Sequence, residues 1–234
     1  MAQQVAAIAV KRAAPAETRF LEREQIEQLF HRLPAKGPLA LRDHALLLLL
    51  YNTGARVQEI ADLRAEDLQL GAQGCVRLHG KGDKWRSCPL WPQTVQLLER
   101  LLQARDTRPS SKLPVFVSRG THALTRFGIY KLVRRHTGQL EVSATTPNRH
   151  HISPHIFRHT AAVHLLEAGV DVNVIRGWLG HVSLDTTNRY AEITTRTKAE
   201  ALRLCEPPST DADSHRGKPV WRDDQALLSW LSSL

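Results

Sequence analysis

GCVRLHGKGDKWRSCPL, residues 74–90, reads as a β-hairpin set in a chain that otherwise repeats with helical spacing. Two short alternating runs flank the turn GKGD, whose glycines admit the positive φ of a tight reversal. On the N-terminal side, RFLEREQIEQLFHRL puts Leu21, Ile26, Leu29, Phe30 and Leu33 at helical spacing, and Pro34 ends the run. A second helix, about 39–52, is nearly all apolar and closes at Gly54. Its LLLLLY run (46–51) is far below the ~20 apolar residues of a membrane span, so it reads as a buried helix. A third helix starts near Arg56 and runs to about Leu63. After the hairpin the pattern predicts helices over about 92–104, 122–136, 154–168, 171–179 and 184–204, with Gly169 and Gly180 as stops. The expected fold class is mainly α with a small antiparallel β-sheet (α+β).

The 234 residues hold one domain of about 150–200 residues plus appendages. The composition assigns 1–16 to an Ala-rich tail, 17–205 to the domain, 206–220 to a polar linker and 221–234 to an amphipathic helix. In that last segment Leu227, Trp230, Leu231 and Leu234 share one face. Three cysteines without C-x-x-C spacing argue against a disulfide framework or zinc knuckle and for a reducing compartment. The start, MAQQVAAIAVKR, has no basic n-region and too short an apolar run for a signal peptide. The expected location is cytoplasmic and nucleoid-associated, with no membrane partner.

A net charge of +9 and a pI near 9.9 point to a polyanionic partner. The excess is concentrated over 119–160, where Arg119, Arg126, Lys131, Arg134, Arg135, Arg149 and Arg158 face one acid, Glu141. Lys and Arg neutralising phosphates dominate DNA affinity, so this stretch reads as a footprint for double-stranded DNA. The segment 122–136 is the candidate groove-entering helix. Arg126, Lys131, Arg134 and Arg135 supply its charge, and Leu124, Phe127 and Val133 are expected to face the core.

Three runs carry the chemistry: TGARVQEI (53–60), HIFRHT (155–160) and LGH-x8-Y (179–190). Arg56 at a helix start can grip a phosphate bidentately, and Glu59 shares its face and can orient it. Lys81 lies between Gly80 and Gly82, which let the hairpin tip approach DNA and present an ammonium. Lys84 and Arg86 compete for that role and are further candidate DNA contacts. His155 and Arg158, spaced i, i+3, project from one helix face. A metal stripe of His151, His155 and His159 lacks an accompanying glutamate or cysteine, so no metal or other cofactor is expected. His181 follows Gly180 at a turn between helices. Tyr190 needs cationic neighbours and a base before its phenol can act as a nucleophile.

The order of these motifs over about 17–204 resembles the catalytic domain of the tyrosine recombinases, the Xer-like and phage-integrase superfamily. The resemblance implies that Arg56 and Arg158 clamp the scissile phosphate and that Lys81 is the general acid. It implies that His155 is a base or phosphate ligand, His181 a phosphate hydrogen-bond donor, Tyr190 the nucleophile and Glu59 a support. The implied activity is site-specific DNA recombination through a 3′-phosphotyrosyl intermediate, without metal or ATP. A type IB topoisomerase-like relaxing activity and a catalytically weak DNA-binding accessory are the alternatives. The family also implies a homotetramer at synapsis and a C-terminal helix docked in trans, with docking on its own domain the alternative. Family members carry a helical core-binding domain before the catalytic one. Only a short tail precedes it here, so a truncated or split chain, or a separate core-binding subunit, is expected. Ala191-Glu192 after Tyr190 also departs from the small polar residue and histidine usual at that place.

Overall fold

The computed structural model describes residues 19–119, 122–138, 140 and 152–180. Along the chain run α1 (Arg23–Arg32), α2 (Ala40–Thr53) and α3 (Val57–Ala61), then a 3₁₀ turn (Ala65–Asp67). The sheet follows as β1 (Leu68–Gln69), β2 (Cys75–Gly80) and β3 (Lys84–Pro89). Helices α4 (Pro92–Gln103), α5 (Arg126–Thr137), α6 (Pro154–Glu167) and α7 (Val172–Leu179) complete the described order. The mainly helical architecture with a small antiparallel sheet is as the sequence predicts. The tail 1–16, the helix at 184–204, the linker and the segment 221–234 lie outside the described residues.

Helix α2 is the spine. Ala45 to Leu50 are all buried, and the helix packs against α4 and α6. Truncating one of these leucines to alanine removes both its transfer energy and its packing, typically about 2–5 kcal/mol. The helix stops where the sequence says it should: Gly54 caps it with φ of 58°. A Cβ there would also meet Leu179 Cδ2 at 2.5 Å, so the turn needs glycine for space as well as for conformation. The Thr53 hydroxyl donates to Leu49 O (2.7 Å) and accepts from the Ala55 amide (3.2 Å). The run TGAR is thereby fixed just ahead of Arg56.

The sheet has three antiparallel strands in the order β1-β2-β3. The sequence predicts only the hairpin. β1 is two residues long and carries no alternation signal of its own. In β2, Val76 and Leu78 point into the core while Arg77 and His79 point out. Asn52 ties the end of the hairpin to α2: its amide donates to Pro89 O (3.2 Å), and its carbonyl accepts from the Trp91 amide (2.9 Å). Helix α3 is shorter than the predicted 56–63. Helix α5 begins only after Thr125, whose hydroxyl caps it by accepting from the Gly128 amide (3.1 Å). A smaller apolar cluster of Ala162, Val163, Ile175 and Leu179 seats α7 on α6 and brings the end of α7 over the turn at Gly54. Among the described residues no helix is long and apolar enough to cross a membrane.

Candidate active site

The carboxyl end of a helix leaves carbonyls without partners and carries partial negative charge. At the end of α7 three successive carbonyls are each taken by a different arginine. Arg86 Nε donates to Trp178 O (2.9 Å), an Arg158 nitrogen to Leu179 O (2.6 Å), and an Arg56 nitrogen to Gly180 O (3.3 Å). Residues far apart in the chain, from α6, the start of α3 and β3, meet in this way at one point.

Arg158 is buried at 2% exposure, and its other terminal nitrogen donates to Gly54 O (2.7 Å). Arg56 is more open. It donates to Glu59 Oε1 (3.0 Å), while its own backbone amide donates to Glu59 Oε2 (2.7 Å). Glu59 is thus both the cap of α3 and the partner of its first guanidinium. The same carboxylate receives Arg86 bidentately at 2.7 Å on each oxygen. Burial alone would raise the Glu59 carboxyl. Hydrogen bonding and charge from Arg86, then contacts with Arg56, outweigh it and hold Glu59 below the ordinary carboxylate value.

His155 stands beside these arginines on α6, with His159 in edge contact at 4.4 Å between ring centroids. Partial loss of hydration, then the charges of Arg158 and Arg56, lower the pKa of His155 although its ring remains open to solvent on one side. His159 is pushed down to about 4 by burial, then by His155 and Arg158. Both rings are therefore neutral at neutral pH, and His155 can accept a proton. Arg56, His155 and Arg158 line one cleft of about 540 Å³, which Arg126, Phe127 and Tyr130 of α5 line as well.

Lys81 lies at the exposed tip of the hairpin. The tip begins close to the arginines, since a Cβ on Gly80 would lie 3.2 Å from Glu59 Oε1 and 3.8 Å from an Arg56 nitrogen. His181, Tyr190 and His151 lie outside the described residues, although His181 directly follows the carbonyls that hold the three arginines.

Arg86, expected as a competitor of Lys81 and a candidate DNA contact, has a side chain only 9% exposed that is engaged by Glu59 and Trp178 O. The missed signal is register. Arg86 pairs with the buried Leu78 across the hairpin, so it occupies an inward position where an uncompensated charge is not tolerated. Phe127 does not face the core: it is 63% exposed at the cleft, while Leu124 and Val133 do face inward. Lys131 lies over the Phe127 ring (4.5 Å) and Arg134 over Tyr130 (5.8 Å). Arg126 and Lys84 are exposed. Arg135 is partly tethered, since it and His136 bond the buried Asp43 of α2, which Arg42 also holds.

Three comparisons bear on fold and family. The phage integrase family matches residues 19–196. The tyrosine recombinase XerD of Listeria innocua is 33% identical over 195 residues, covering 81% of this chain and 63% of that protein. The tyrosine recombinase XerC of Neisseria meningitidis serogroup C is 38% identical over 163 residues, covering 69% of this chain and 51% of that one. Among solved structures, the XerH site-specific recombinase bound to its palindromic difH substrate, in a post-cleavage complex, gives a TM-score of 0.68 at 23% identity. That match covers 86% of this chain and 59% of the other, and it establishes a shared fold. The chain spans 51–63% of the length of these three relatives.

Proposed function

The chain belongs to the phage integrase family, and we propose that it is a site-specific DNA recombinase that works through a covalent tyrosyl intermediate. The observation that carries this reading is the convergence of Arg56, Arg158 and His155 on one cleft, with Gly80 of the hairpin close to Arg56. Two guanidiniums with fixed backbone anchors are suited to gripping a phosphate, and a neutral imidazole beside them is suited to taking a proton.

In the proposed reaction the Tyr190 oxygen attacks the scissile phosphorus and passes its proton to His155. The bond from phosphorus to the 5′-oxygen breaks, and Lys81 Nζ protonates that oxygen. Arg56, Arg158 and His181 stabilise the pentacoordinate transition state, where charge on the equatorial oxygens peaks. The phosphotyrosyl bond conserves the energy of the broken one, so a 5′-hydroxyl from a partner duplex can reverse the attack without ATP or metal. Lys84, Arg126, Lys131 and Arg134 are the proposed contacts to double-stranded DNA, with Arg135 a secondary one because Asp43 holds it. A tetramer at synapsis, trans docking of 221–234, a core-binding subunit or domain beyond 17–205, and a nucleoid-associated cytoplasmic location complete the proposal.

The test is a pool of nicked suicide duplexes, randomised around the nick, incubated with the full chain and run on a denaturing gel. A covalent adduct that survives EDTA and disappears in Tyr190→Phe, with DNA binding retained, is the expected result. An adduct in that variant makes Tyr51 or Tyr130 the nucleophile. Binding without an adduct in the unmodified chain makes it an accessory. Rejoining only to the original strand makes it a relaxing enzyme.

A further inference from the structure

We propose that His79, Asp83 and Trp85 are positioning residues for Lys81, forming a brace on the solvent face of the hairpin that fixes the turn from which the lysine projects. The inference rests on the reading of Lys81 as the general acid.

The hairpin closes with the pair Gly80–Lys84, leaving residues 81–83 as the loop. Gly82 and Asp83 both adopt positive φ, 76° and 56°. Glycine does so freely, but aspartate needs a reason to remain there. A clear one is the bond between its carboxylate and the ring of His79: Nε2 lies 2.7 Å from Oδ1, across the loop. The same imidazole stacks on Trp85, its direct cross-strand partner, at 4.5 Å and 12° between planes. Arg77, two residues back on β2, lies over the indole at 4.9 Å. The three residues of this ladder sit on the face opposite Arg86 and Leu78.

Lys81 is thereby held from two sides. On the inner side the Gly80 backbone abuts the Glu59–Arg56 pair. On the outer side the imidazole joins the loop to the strand. Burial does not account for the outer side: Trp85 is 49% exposed and the Asp83 side chain 88% exposed. Cross-strand stacking also stabilises hairpins in general, so the useful readout is one that general stabilisation would leave unmoved.

A 5′-bridging phosphorothiolate supplies it, because a sulfur leaving group hardly needs protonation and makes the general acid dispensable. The duplex most strongly captured in the suicide pool is made with the oxygen and with the sulfur linkage. Lys81→Ala, His79→Ala, Asp83→Gly and Asp83→Asn are compared on both. Asp83→Gly keeps the left-handed backbone and loses the bond, whereas Asp83→Asn keeps an acceptor.

Lys81→Ala is expected to slow oxygen-substrate cleavage about a hundredfold or more and to recover on sulfur. Asp83→Gly and His79→Ala should lose about tenfold on oxygen and stay within about twofold of the unmodified chain on sulfur. Asp83→Asn should be close to normal on both. Adding Lys81→Ala to Asp83→Gly should produce no further loss beyond that of Lys81→Ala alone.

Failure of Lys81→Ala to recover on sulfur overturns the general-acid reading itself. Recovery of Lys81→Ala together with equal defects on both substrates, or no defect, in Asp83→Gly overturns the brace alone. Hydrogen exchange probes the brace without DNA: Asp83→Gly should speed amide exchange across 79–86 and leave α2 and α6 unchanged. Unaltered exchange at the tip refutes the brace.

Discussion

Arg158 and Lys81 are both proposed to act on one phosphodiester, yet they are held in opposite ways. Arg158 is buried, with two of its nitrogens on backbone carbonyls of separate turns, Gly54 and Leu179. Lys81 sits on an exposed loop whose restraints lie in the neighbouring residues rather than in the lysine. The difference suits the two proposed tasks. A phosphate clamp works by electrostatic preorganisation, which rewards a rigid, desolvated guanidinium. A proton donor must approach a leaving oxygen and return to solvent for another proton. Under the proposed roles the first task lies in the core and the second on a ribbon.

The largest effect should come from breaking the rigid half. Glu59→Leu leaves Arg86 buried without its bidentate partner, and loss of one member of a buried pair typically destabilises by about 3–5 kcal/mol. Urea unfolding of the variant should show that loss. A change below about 1 kcal/mol would mean that the Arg86–Glu59 pair is not held as the fold implies.

A smaller effect should appear in acid. His44, His155, His159 and His164 all have folded pKa values below the ordinary histidine value, each chiefly through burial, and His159 lies at about 4. Between about 6.5 and each folded pKa the unfolded chain binds more protons than the folded one. Stability should thus be complete above pH 6.5, decline as pH falls towards about 4, and decline further below that as Glu59 and Asp43 protonate. Replacing His159 by Asn should flatten the first segment by roughly 1–2 kcal/mol, since solvent still screens the ring. Unfolding curves collected from pH 7.5 to 4 that coincide for the two proteins would contradict this.

The smallest effect on stability should be that of Lys81→Ala. It ought to unfold within about 0.5 kcal/mol of the unmodified chain, as exposed substitutions do, even though it is expected to cleave far more slowly. A large loss of stability would show that the lysine is part of the scaffold and erase the contrast with Arg158.

How far the sequence is legible depends on range. Local patterns predict α2, the hairpin, α4, α6 and α7, because spacing of apolar residues and a stop such as Gly54 or Gly180 are read within one turn. The candidate residues Arg56, Arg158 and His155 are legible as a group through motif order. Their mutual arrangement is not, because it depends on pairings such as Glu59 with Arg86 that local periodicity does not encode. Asp43 illustrates the same limit. It looks like an ordinary first-turn acid of α2, yet Arg42, Arg135 and His136 enclose it, the last two from another helix. Phe127 goes the other way: an apolar residue at helical spacing reads as core, yet its neighbours put it on a cleft wall.

The carbonyls that end α7 also make counting matter. Trp178, Leu179 and the capping Gly180 are presented in sequence to Arg86, Arg158 and Arg56, one residue per arginine. Removing a single residue within Val172–Leu179 would turn that end by about 100° and draw it back by about 1.5 Å. All three guanidiniums would lose their acceptors at the end of α7 together, however apolar the remaining residues were. Drift in residue identity is readily absorbed on the outer face of this helix, where Val174 is 54% exposed. A change in its length is not absorbed in that way, because it moves the carbonyls themselves.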